Sequence, residues 1–269
     1  MVWIGGGPGA GKSTLARHLS RRYDLPLHPI DLWTYDHAER LPVGEPLEDQ
    51  LQKGPEYAAE AFQAYSEARL PLIRADILAR SLGGVPALVE GPQLFPQFAA
   101  RVGLPRGFGV WLTPAPLQTR RARESRILAA PDTRARSRLE GLLARDLLLT
   151  ARVGEAACRM GYAALEVSED PDWADIERQV AAALRGAFNA LPHLPPGPVL
   201  AGQRRLENRA ACRQGRLWQR DAGLAELPPF PFACECGRSG CDDVWSATPD
   251  AYDVRTREGP LTVHEDTGF

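Results

Sequence analysis

The residues that most restrict this chain stand at its start, MVWIGGGPGAGKSTLARHL. Val2-Trp3-Ile4 reads as a short buried strand, a burst of glycine follows, and residues 11–23 carry a helical pattern. Gly6, Gly7, Pro8, Gly9, Ala10, Gly11, Lys12 and Ser13 fill every position of G-x-x-x-x-G-K-[ST], with Thr14 directly after. Such glycines let successive backbone N–H groups curl around an oxyanion. Lys12 then reaches β- and γ-phosphate oxygens, the Ser13 hydroxyl ligates Mg²⁺, and the helix N-terminus adds partial positive charge. ATP and Mg²⁺ are the expected ligands. Composition sharpens this point: of 32 Lys and Arg residues, only Lys12 and Lys53 are lysine. A chain that writes its cations as arginine has kept a compact ammonium where a planar guanidinium fits badly.

Downstream, apolar and helical patterns alternate. Residues 27–31, 86–91, 108–113 and 163–167 read as further strands. Residues 54–82, 116–128, 134–160 and 171–191 read as helices, with Pro71 a break or a new start. Strand–helix alternation predicts a doubly wound α/β fold of the P-loop NTPase type, a parallel sheet covered on both faces, over residues 1–190. Residues 191–202, LPHLPPGPVLAG, predict a Pro/Gly linker. Residues 203–269 predict a small domain with one helix over 204–224 and irregular structure from Phe230 on.

The net charge of −2 and pI near 6.2 give no general attraction to nucleic acid or anionic lipid. No apolar run approaches the length of a membrane span, and the first strand follows Met1 too closely for a leader, so a cytoplasmic location is expected. An N-K-x-D guanine signature is absent, which argues against a GTPase.

Residues 2–190 resemble the small-molecule kinases related to shikimate kinase, adenylate kinase and chloramphenicol phosphotransferase. The resemblance rests on the N-terminal P-loop, Asp31 closing the second strand, Val89-Glu90-Gly91 closing the third, and an Arg-rich segment after the fourth. The whole chain resembles actinobacterial proteins of unassigned function that join such a domain to a short Cys-containing tail. The resemblance implies ATP-dependent phosphoryl transfer to a small hydroxyl-bearing molecule. It also implies that Asp31 orients or deprotonates that hydroxyl, with Asp36 and His37 in reserve. Glu90 stands in the Walker B place, where a carboxylate holds a Mg²⁺-bound water or touches substrate. Arg120, Arg121, Arg123 and Arg126 fall where these kinases carry a lid whose arginines close over the transferring phosphoryl group. Arg145-Asp146 reads as another phosphate contact or as a surface pair. The competing class is a non-catalytic or regulatory ATP-binding module whose tail contacts a protein or nucleic-acid partner.

Of five cysteines, Cys158 and Cys212 read as isolated, buried, small apolar residues. Cys234, Cys236 and Cys241 share an eight-residue turn containing glycine, a C-x-C-x4-C spacing that can surround one zinc. His264 is the candidate fourth ligand, with Asp242, Asp243 or water as alternatives. Reduced structural or redox thiols are the other reading of the cluster.

Overall fold

The computed structural model describes residues 1–42, 44–80, 84–125 and 133–264. Five strands, β1 (Val2–Gly6), β2 (Leu27–Pro29), β3 (Leu88–Glu90), β4 (Gly109–Pro114) and β5 (Ala163–Val167), form an all-parallel sheet in the order β2-β3-β1-β4-β5. Val2, Ile4, Leu88, Val89, Val110, Trp111 and Leu112 are fully buried, which is why these strands read as continuous apolar runs rather than alternating ones. Register pairs Trp3 with Gly109 through Gly6 with Leu112, and Val110 with Ala163 through Pro114 with Val167. The helices are α1 (Lys12–Arg22), α2 (Thr34–Arg40), α3 (Leu47–Gln52), α4 (Pro55–Arg80), α5 (Pro96–Arg101), α6 (Pro116–Glu124), α7 (Thr133–Met160), α8 (Trp173–Ala190), α9 (Pro198–Ala222) and α10 (Pro249–Arg255). The chain leaves β1 toward the β3 side of the sheet and leaves β4 toward β5. The two connections therefore part beyond the carboxyl ends of β1 and β4, where open α/β sheets leave a ligand crevice.

Four expectations need correction. Asp31 does not close β2: the strand ends at Pro29, and Asp31 sits in a 3-10 turn, Ile30–Trp33, where its carbonyl accepts the Thr34 amide. Helix α4 runs on through Pro71, with Ala58, Ala59, Ile73 and Ile77 buried on either side of it. The stretch 191–202 is not a free linker. Leu194 and Leu200 are buried, and α9 begins at Pro198, because proline is tolerated in a first helical turn whose N–H needs no partner. Finally, the segment after Phe230 is not irregular: β6 (Phe230–Ala233) and β7 (Val244–Ala247) form an antiparallel pair.

The chain divides into two compact units that do not follow the expected boundary. One comprises Met1–Ala16, Leu41–Pro71 and Val89–Ala190; the other comprises Arg17–Arg40, Leu72–Leu88 and everything from Leu191 on. The second unit has its own core of Ala211, Cys212, Phe232, Ala247, Tyr252 and Leu261, with Phe232 stacked on Tyr252 at 4.5 Å. Cys212 is therefore a buried core residue as expected, whereas Cys158 is exposed.

Candidate functional site

In the first unit the loop between β1 and α1 is held at both ends. The Gly7 amide donates to Leu112 O at 3.0 Å, and the Thr119 hydroxyl donates to Pro8 O at 3.2 Å. Gly9 and Gly11 have φ of +86° and +72°, which side chains with a Cβ rarely adopt. A Cβ on Gly9 would also lie 2.5 Å from Gln118 O, and one on Gly11 would lie 2.4 Å from the Trp173 ring. Glycine is thus required twice over at each position. Lys12, only 7% exposed, bends back so that its ammonium donates to Gly7 O at 2.8 Å. The cation is stored inside the curl of the loop.

Beside Gly6, Gly7 and Pro8 lies a cavity of about 50 Å³. Its remaining walls are Phe62, Pro92 and Phe95 together with Arg123, Arg145, Asp146, Leu149, Thr150 and Val153. Asp146 is buried and accepts from Arg123 Nε at 2.6 Å and from Arg145 Nη2 at 2.8 Å. The Arg145 guanidinium also lies 5.1 Å above the Phe62 ring. Two guanidinium groups on one carboxylate leave net positive charge in the wall. The Thr150 hydroxyl is buried there without a hydrogen-bond partner among the described residues.

The expected lid arginines separate into distinct environments. Arg123 faces this cavity. Arg120 forms an exposed pair with Glu140, and Arg121 donates to Glu169 O at 2.7 Å. Arg126 lies outside the described residues. Arg145-Asp146, which the sequence left between a phosphate contact and a surface pair, is buried. The signal was a charged pair inside the apolar run LLARDLLL. Glu90 is buried at the end of β3, and the following Gly91 amide donates to Ile4 O at 3.2 Å, which sets Glu90 beside β1. Ser13 and Thr14 lie in the first turn of α1.

Asp31, Asp36 and His37 belong to the second unit. Asp36 pairs with Arg213 of α9. His37 is fully buried, its Nε2 3.0 Å from Asp76 Oδ2, and Arg40 reaches the other oxygen of Asp76 at 3.1 Å. Asp36 and His37 therefore act as fasteners in this structure.

The second unit also gathers Cys234, Cys236, Cys241 and His264, whose ligand atoms all lie within 4.8 Å of one another. The Cys234 amide extends the β6–β7 ladder by donating to Asp243 O at 3.0 Å, and the Arg238 amide donates to Cys236 Sγ at 3.4 Å. Burial raises the thiols of Cys234 and Cys241, the latter to about 12. At Cys236 burial pulls the same way but is outweighed by the Arg238 amide, His264 and Cys241, and this thiol falls to about 6. His264 Nε2 is buried with no hydrogen-bond partner among the described residues. Three soft sulfurs and an orphaned imidazole nitrogen are the donor set that zinc takes, and tetrahedral zinc spaces its ligand atoms by roughly 3.3–3.8 Å. This Cys₃His cluster can hold a metal such as zinc. Asp243, an alternative ligand on sequence grounds, instead contacts Cys241 Sγ at 3.5 Å. Searches against protein-family models and curated protein sequences find no match to this chain.

Proposed function

We propose that the first unit is a P-loop phosphotransferase that moves the γ-phosphoryl group of ATP to a small hydroxyl-bearing molecule, and that the second unit carries one structural zinc. The observation that carries the kinase reading is the loop itself: Lys12 stored against Gly7 O, next to a cavity walled by Arg123, Arg145 and the unpartnered Thr150 hydroxyl. In this reading Lys12 exchanges its carbonyl for phosphate oxygens. Ser13 and Glu90 would hold Mg²⁺ or its water, which would supply charge neutralisation to the phosphates. Arg123 and Arg145 stabilise charge on the transferring group, where preorganised donors act most strongly. The bond from γ-phosphorus to ADP breaks as the acceptor oxygen bonds to phosphorus, and the hydroxyl proton passes to a carboxylate.

The test is ATP consumption screened across pools of metabolites and antibiotics, with Lys12→Ala alongside. An acceptor that stimulates turnover in the wild type and not in Lys12→Ala supports the reading. Nucleotide binding that no acceptor converts to turnover favours a regulatory ATP-binding module. Equal ATP affinity in both proteins removes the P-loop assignment. For the metal, elemental analysis of purified protein should give one zinc per chain. Cys→Ser at 234, 236 or 241 should abolish it, and Cys→Ser at 158 or 212 should not.

A further inference from the structure

Glu235 stands between two of the thiols, and its surroundings differ from theirs. In extended backbone successive side chains point to opposite sides, so a C-x-C segment that turns both sulfurs to one side turns its middle residue to the other. Glu235 is 1% exposed. A buried carboxylate is tolerated only when its charge is compensated and its lone pairs are used. Here four donors converge on it: Asn208 Nδ2 at 2.9 Å and the Tyr252 hydroxyl at 2.5 Å on Oε1, Arg205 Nε at 3.0 Å and the Leu261 amide at 3.2 Å on Oε2. Three of these come from elements of the unit's core, α9 and α10. The fourth comes from the segment that leads into His264.

The Leu261 contact is reciprocal. The Glu235 amide donates to Leu261 O at 2.6 Å while the Leu261 amide donates to the Glu235 carboxylate. Leu261 is itself buried in the core with Phe232 and Tyr252. The segment 261–264 has no helix or strand of its own; this clamp holds it beside the cysteine turn, together with the Val263 backbone hydrogen bond to Cys234 and the packing of Leu261 and Val263 on the core.

We infer that Glu235 is a positioning residue for the metal centre: anchored by Arg205, Asn208 and Tyr252, it grips the Leu261 backbone and so sets where His264 meets the three thiols. This rests on the proposed metal site. Partners that orient metal ligands typically change affinity by about 10- to 100-fold when removed. Glu235→Gln is isosteric, but its NH₂ would face either the Arg205 and Leu261 donors or those of Asn208 and Tyr252.

The test uses full-length protein loaded with Co²⁺ or Zn²⁺ and titrated against a chromophoric chelator. Wild type should show thiolate-to-cobalt charge transfer and tetrahedral d–d bands. Glu235→Gln should bind about 10- to 100-fold more weakly, with d–d bands altered toward those of His264→Ala. Because Glu235 acts through His264, the two effects should not add: in a His264→Ala background, Glu235→Gln should cost less than threefold. Additive losses, or unchanged affinity and spectrum in Glu235→Gln, overturn the inference. Absence of cobalt bands in the wild type defeats the metal reading itself, a different result. Should Glu235→Gln fail to fold, Tyr252→Phe keeps the aromatic ring and removes one donor. It should then weaken binding in the same direction, and an unchanged Tyr252→Phe affinity would count against the clamp.

Discussion

Gly11 and Lys12 are the positions where residue identity and geometry agree most closely. A motif with fixed spacing names both in the sequence, because phosphate binding demands a left-handed glycine and an ammonium at set places on the loop. What the motif could not name is the neighbour. Trp173, 44% exposed, packs its ring against Gly11 from 162 positions away, a distance over which no sequence period operates. Two separate penalties therefore await Gly11→Ala: the positive φ, worth about 1–2 kcal/mol for an L-residue, and collision with the indole. Chemical denaturation of Gly11→Ala should show a loss above 1 kcal/mol. In a Trp173→Ala background the collision disappears, but the φ cost of about 1–2 kcal/mol should persist. If the double variant shows no cost for Gly11→Ala, the backbone is not held at this φ. The same limit hid Glu235, flanked by cysteines that attract all the attention while its partners lie on α9 and α10. Arg145-Asp146 was half legible, since the charged pair is visible within the leucines but its burial direction is not.

Helix and strand placement was legible wherever periodicity is long or burial is nearly complete, as in α7, α8 and the strands β1, β3 and β4. It failed where a proline changes meaning with position. Pro198, within the stretch expected to be a linker, opens α9, and Pro71, expected as a break or new start, lies within α4. Second-unit helices are joined by groups that an amphipathic pattern does not predict, notably Asp76 of α4, which holds His37 and Arg40 of α2. Burial alone would raise the Asp76 carboxyl, but hydrogen bonds from His37 and Arg40, with Arg80 nearby, outweigh it and hold it below the ordinary carboxylate range. The folded state thus takes up this proton less readily than the unfolded chain. Its contribution is fully present above the unfolded value near pH 4 and is lost as pH falls through the folded value. Asp76→Asn should lower the urea midpoint at pH 7, by about 1–3 kcal/mol in stability. Its stability should also fall less than wild type's between pH 5 and 3. Parallel pH curves for the two proteins would show that Asp76 is not the group responsible.

At the scale of the whole chain, the sequence suggested a kinase body and a tail on a linker, and the structure instead places residues 17–40 and 72–88 in the same compact unit as the tail. A Pro/Gly-rich composition reads as a linker, but here Leu194 and Leu200 are buried and α9 begins within the stretch. Within the second unit the cysteine turn is fastened to the end of α1. Asp24, a non-glycine residue at φ +45°, accepts the Ser239 hydroxyl and the Gly240 amide, and Arg21 donates to Asp242 O at 3.4 Å. Arg204 of α9 adds bonds to Ser20 O and Leu25 O at 2.9 and 3.0 Å. A metal that ordered residues 234–241 would therefore support the α1–β2 turn as well, because Ser239 and Gly240 donate to the Asp24 carboxylate there, beside the Leu194 amide on the Asp24 carbonyl. Metal ligation is coupled to folding of the segment that bears the ligands. Removing zinc with a chelator should raise amide hydrogen exchange in residues 230–264 and, by the same coupling, in residues 20–25. The strands β1, β4 and β5 should keep their protection, and ATP affinity should change by less than about threefold. Exchange confined to residues 234–241 would show that the turn is an isolated knuckle. A collapse of protection across β1 and β4 would show that the metal underwrites the first unit too.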